Sequence, residues 1–185
     1  DWNLIPTIVA NMNYSVVEFD YKYCKYRSPE KHEFSEKQKC NCHNDTTGKI
    51  VSALYYGSNS LWWMSESQMS HYHDRFPFLR EKVNTVLSSV FDDNFFATVK
   101  VLNKKYEDKK NDKYVILNSN SWIKGVEESK KYCDENNLSY ELVAGLSYKD
   151  LLEKLAQSKG LVFLPLGGDT CPRLVIEAKL LGCDL

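Results

Sequence analysis

Glycine and proline are scarce in this chain, eight and five among 185 residues, against a usual combined share of about 12%. The shortage excludes collagen-like and low-complexity architectures. Neither sign of charge predominates: 24 Lys and Arg against 25 Asp and Glu leave a formal net charge of −1. That balance argues against a basic nucleic-acid module and against a polybasic membrane-surface protein. No apolar run approaches the roughly 20 residues of a membrane span. The acidic, aromatic start, Asp1-Trp2, carries no initiator Met and does not resemble a signal peptide. Six cysteines (Cys24, Cys40, Cys42, Cys133, Cys171, Cys183) are too few for a disulfide scaffold of this length. Most lie in or beside apolar patterns, as reduced thiols do, so a soluble cytoplasmic protein is expected. A Gly-x-Ser-x-Gly elbow, a phosphate-binding Walker loop and a dinucleotide glycine fingerprint are also absent.

What is present suffices for one good core or two small ones, since 43% of the residues are hydrophobic. In the second half, Tyr114–Asn118, Tyr140–Ala144 and Leu161–Pro165 are short apolar runs, the pattern of strands covered on both faces of a parallel sheet. Helical patterns alternate with them. Lys124 to Asn136 places Val126 and Cys133 inward, Ser147-x-x-Asp150 has the form of a capping box, and Pro172 suits a first helical turn. Leu174, Val175, Ala178 and Leu181 then form an apolar stripe that Gly182 ends. Strands and helices at this spacing predict right-handed crossovers and an open α/β sheet.

The first half is less regular. Val16–Phe19, Leu61–Met64 and Asn84–Ser88 are predicted strands, and Gly48–Tyr56 and Gln68–Phe76 predicted helices. Lys22–Cys42, charged and cysteine-bearing, is expected to be a long loop. Lys100–Lys113, with six lysines and three acids, is expected to be an exposed hairpin or a link. The resulting partition is two α/β units, residues 1–110 and 111–185.

Most of the chemistry converges on Gly167-Gly168-Asp169-Thr170-Cys171-Pro172-Arg173, followed by Glu177 in the helix. The carboxyl end of a parallel strand running into a helix N-terminus is where α/β sheets bind ligands, and free N–H groups with the helix dipole favour an anion there. Asp169 on the loop and Glu177 about two turns later can bracket a polyhydroxylated ligand that carries a phosphate. Glu177, set between Ile176 and Ala178 in an apolar helix, needs a partner, and a ligand hydroxyl would serve.

This segment resembles the signature of GT-B glycosyltransferases of the retaining, family-four-like type. In that family two acidic residues eight apart flank a loop and helix that hold the nucleotide-sugar donor. Asp169 stands in place of the usual first Glu, and Glu177-Ala178 match as they stand. Upstream, Lys124-Gly125 matches the family's Lys-Gly of the diphosphate clamp, while Asn118 stands where the family has Arg. Gly145-Leu146-Ser147 resembles the turn near the nucleobase, and Met64-Ser65-Glu66 and Ser88–Asp92 resemble the end of the acceptor-side domain.

The resemblance implies Rossmann-like parallel sheets with flanking helices in two incomplete GT-B lobes, truncated at both ends. It also implies transfer of a sugar from a nucleotide-sugar donor to an unknown acceptor. Gly167, Gly168, Thr170, Cys171 and Arg173 would hold the diphosphate with Lys124 and Asn118. Glu177 would take ribose hydroxyls and Asp169 hydroxyls of the transferred sugar, the two acids forming the catalytic pair. No cofactor, metal or nucleic-acid partner is implied. The alternative is a non-catalytic α/β ligand-binding or interaction domain derived from the same fold.

Three other features bear on function. Cys24, His32, Cys40, Cys42 and His43 invite a zinc reading, but one residue between Cys40 and Cys42 strains a shared tetrahedral site, so loop cysteines without a metal are expected. His71 and His73 fall on different helix faces, which predicts surface or packing roles. Of Trp62 and Trp63, facing opposite sides of a strand, at least one belongs to the core.

Overall fold

The computed structural model describes residues 2–185 and shows an α/β chain in two compact units. The first runs to Val90 and includes Gly167–Cys171; the second comprises Phe91–Leu166 and Pro172–Leu185.

In the first unit, helix α1 (Ile5–Asn11) precedes strand β1 (Val16–Glu18). Helices α2 (Pro29–Glu36) and α3 (Thr46–Tyr56) lead to β2 (Ser60–Trp63), and α4 (Glu66–Arg75) leads to β3 (Val83–Val86). The strands form a parallel sheet in the order β1-β2-β3, with Val16 beside Leu61 and Leu61 beside Asn84. Period-two alternation splits the tryptophan pair: Trp63 is fully buried and Trp62 half-buried. The core is aromatic, with Tyr23, Tyr55, Trp63 and Tyr72 all fully buried. Ser28 and Ser65 cap α2 and α4 by accepting the amides of Lys31 and Gln68.

The charged Lys22–Cys42 stretch is not a continuous loop. Ser28-Pro29, an N-cap followed by a proline, starts α2 within it, and that helix buries only Pro29 and His32. An almost wholly polar helix shows no apolar period.

The second unit contains α5 (Asp93–Tyr106), β4 (Tyr114–Leu117), α6 (Val126–Glu135), β5 (Tyr140–Val143), α7 (Tyr148–Gln157), β6 (Gly160–Leu161) and α8 (Arg173–Leu180). Its sheet is parallel, in the order β5-β4-β6. Central β4 buries Val115 and Ile116, α7 buries Leu152, Leu155 and Ala156, and α8 contributes Ala178 with Leu181 just beyond it. Gly182 turns the chain at φ +70°, the left-handed conformation that suits glycine.

Three expectations change here. Lys100–Lys113 is no hairpin: its first half continues α5, whose buried face is Phe95, Val99 and Leu102. A window opening at Lys100 misses the first two of those positions and so misses the helical period. Helix α5 therefore belongs with the second unit, and the division falls at Val90 rather than near residue 110. The strand expected over Leu161–Pro165 ends at Leu161. Beyond it, the Leu164 amide donates to Ser129 Oγ (3.2 Å) and the Leu166 amide to Ile123 O (3.1 Å), leaving the ladder.

Candidate functional site

In the second unit the site is built at the carboxyl edge of β4. The Asn118 amide donates to Val143 O (2.8 Å), so Asn118 is the first residue beyond that strand. A single 3-10 turn, Trp122–Lys124, follows, and the Lys124 ammonium lies 5.5 Å from the centre of the Phe163 ring. Gly125 caps α6 at φ +56°, and a Cβ there would stand 1.7 Å from Leu164 O. Glycine is required on both counts. The bond from Leu166 N to Ile123 O completes this arrangement: the lysine turn after β4 and the segment after β6 are joined directly.

Helix α8 carries the acidic residue. Glu177 is 3% exposed. Its Oε1 accepts from Arg173 Nε (2.7 Å) and from the Tyr148 hydroxyl (2.7 Å). Arg173 also donates from Nη2 to the Tyr148 hydroxyl (3.1 Å), and its guanidinium lies 4.6 Å from the centre of the Phe91 ring. Burial, and then the bond to Glu177, push the Tyr148 hydroxyl pKa up; the same carboxylate raises that of Arg173. Two protein donors, Arg173 and Tyr148, thus already partner Oε1 of the buried carboxylate. The i,i+4 spacing of Arg173 and Glu177 contained that signal.

The glycine-rich segment is held within the first unit. A Cβ on Gly167 would meet Glu30 at 3.2 Å and Ser28 Oγ at 3.3 Å; one on Gly168 would meet the Tyr21 hydroxyl at 3.1 Å. Neither glycine has positive φ. These contacts are tight, and the side chains that make them are flexible. The Asp169 amide donates to Gly167 O (2.8 Å), Thr170 Oγ1 donates to Phe19 O (2.7 Å), and Cys171 Sγ lies 3.0 Å from Ser89 Oγ.

Sequence reasoning missed a buried acidic network at the end of β1. Glu18 is fully buried. Its Oε2 accepts from the Tyr55 hydroxyl, and its Oε1 from Lys22 Nζ (3.2 Å) and the Asp20 amide (3.1 Å). Burial raises its pKa, with Lys22 acting the other way. Gln68 Nε2 and the Tyr72 hydroxyl both donate to Asp20 O, at 3.0 and 3.2 Å. The available signal was a glutamate between Val17 and Phe19 in an apolar run. His71 packs 4.6 Å from the Tyr21 ring and bonds the Tyr23 hydroxyl, and His73 lies 3.4 Å from Asn84 Oδ1.

The first unit also gathers four of the five residues that invited a zinc reading in the sequence. Cys24, His32, Cys40 and Cys42 are all buried, and their ligand atoms lie within 4.8 Å of one another. Cys40 and Cys42 therefore do reach a common point, despite the single residue between them.

No family model, curated protein or solved structure matches this chain. No helix among the described residues is long and apolar enough to cross a membrane.

Proposed function

We propose that the chain is a glycosyltransferase, or part of one, that binds a nucleotide sugar and transfers the sugar to an acceptor with retention at the anomeric carbon. The observation that carries this reading is the Leu166 N to Ile123 O bond, which joins the lysine turn after β4 to the segment after β6 at one carboxyl edge of a parallel sheet. There Lys124 would neutralise the diphosphate, assisted by the first amides of α8. Asn118, the first residue beyond β4, would supply an amide in place of a charge. Glu177, held rigid by Arg173 and Tyr148, would offer its carboxylate to ribose hydroxyls. Catalysis would come chiefly from positioning and from stabilising the departing diphosphate.

The test is titration with uridine, guanosine, adenosine and cytidine diphosphates, followed by amide NMR, with nucleotide-sugar turnover measured alongside. One diphosphate is expected to shift the Lys124–Gly125 amides. Lys124→Ala should weaken that binding roughly tenfold, the worth of one charge-assisted contact. No shift with any of the four at millimolar concentration, together with no turnover, overturns the reading. Binding without turnover turns it into the non-catalytic alternative.

A further inference from the structure

The four residues gathered in the first unit satisfy the demands of a metal centre, and they do so independently of any sugar chemistry. A zinc bonded at about 2.3 Å to sulfur and about 2.0–2.1 Å to nitrogen sets neighbouring ligand atoms roughly 3.5–3.8 Å apart. Here Cys42 Sγ lies 3.3 Å and Cys24 Sγ 3.9 Å from His32 Nδ1, on either side of that spacing. The four residues are 1–7% exposed. We propose that Cys24, His32, Cys40 and Cys42 form a closed tetrahedral zinc site in the first unit.

The chain is shaped to bring them together. Cys24 sits between two tight turns, its amide donating to Tyr21 O (2.9 Å) and its carbonyl accepting from Arg27 N (2.8 Å). Ser28 then starts α2, which places His32 in the first turn, inward. Lys37, left-handed at φ 57°, ends the helix and returns the chain toward Cys40. Cys42 opens a 3-10 turn on which α3 rests closely: a Cβ on Gly48 would come within 2.3 Å of Cys42 O. The ligands thus come from a loop, a helix, the stretch that follows it and a 3-10 turn, with the three cysteines set in the first unit's apolar core. A helix as polar as α2 needs such an anchor.

The chemistry selects the ion. Three thiols and an imidazole are soft, tetrahedral donors suited to zinc, and with four protein ligands the site has no open position, which makes it structural rather than catalytic. Binding exchanges three thiol protons for one Zn2+: three Zn–S bonds and one Zn–N bond form, three protons leave to solvent, and the centre carries a net charge of −1. The alternative, buried free thiols used as small hydrophobes, does not account for a histidine nitrogen among them.

The zinc would also shape what lies next to it. Tyr21, Ser28 and Glu30, against which Gly167 and Gly168 pack, belong to the same Tyr21–His32 stretch.

The test uses protein purified under reducing conditions without added metal. Elemental analysis is expected to give about one zinc per chain. Replacement by Co2+ should produce a thiolate-to-cobalt charge-transfer band and the intense visible bands of a tetrahedral ion. Cys24→Ser and Cys42→Ser should each cut bound zinc about tenfold or more, while Cys133→Ser, outside the cluster, leaves it unchanged. His32→Cys should retain zinc with a more thiolate-rich cobalt spectrum. Folded wild-type protein with no zinc and no cobalt charge-transfer band overturns the proposal, whatever the variants do. So does zinc that survives both serine substitutions, or a disulfide within the cluster in the metal-free native protein.

Discussion

Single positions in this protein are constrained in ways that measurements on one substitution can separate. Gly125→Ala must hold a left-handed backbone, which costs about 1–3 kcal/mol, and must also place a methyl against Leu164 O. Chemical denaturation is expected to show the second unit losing at least that much. Glu177→Gln removes the charge from the bonds made by Arg173 and Tyr148, worth about 1.5–3 kcal/mol each for charged groups. Both the melting temperature of the second unit and donor affinity are expected to fall. A lowered melting point with unchanged affinity would reduce Glu177 to a packing residue. His71 offers a pH test. Burial, with Arg75 adding to it, lowers its pKa from 6.5 to about 4. The neutral ring therefore contributes stability that is full above pH 6.5 and is lost as pH falls through about 4. Denaturation between pH 7 and pH 4 should show wild type losing more stability than His71→Gln, and parallel losses would remove His71 from the account.

Among the elements, α5 is the one whose role the structure changed most. Its buried stripe makes it part of the second core, so Leu102→Ala should cost about 2–5 kcal/mol, as removal of a buried leucine side chain does. A solvent-exposed hairpin would register almost nothing. Hydrogen exchange can locate the loss: amides of β4 and β5 should lose protection while those of β1 and β2 keep theirs. Helix α2 is the converse case. Little apolar surface holds it, and the cap at Ser28 and the ligand at His32 are what place it.

For the molecule as a whole, two small cores of different chemistry imply two responses to metal removal. A strong zinc chelator should strip protection from β1–β3 and leave β4–β6 intact; equal loss in both sheets, or none in either, would disconnect the cluster from the first unit's stability. The strands β1, β2, β4 and β5 were legible along the chain because each depends on a local apolar run, as the stripe of α8 depends on a local period. Lys124, Asp169 and Glu177 were legible as types of residue at a spacing. Their partners were not, because Tyr148 lies 29 residues from Glu177 and Phe163 well beyond Lys124. The same limit hid the reason for Gly125, since a close approach to Leu164 O has no local trace. It applied most strongly to the cysteines. A one-residue spacing looks unfavourable when ligands are counted along the chain, and becomes workable once a turn, a helix and a loop fold Cys24, His32, Cys40 and Cys42 onto one point. Local patterns dictate elements because hydrophobic burial has a period, whereas a site depends on distances between residues far apart in the chain, which folding alone sets.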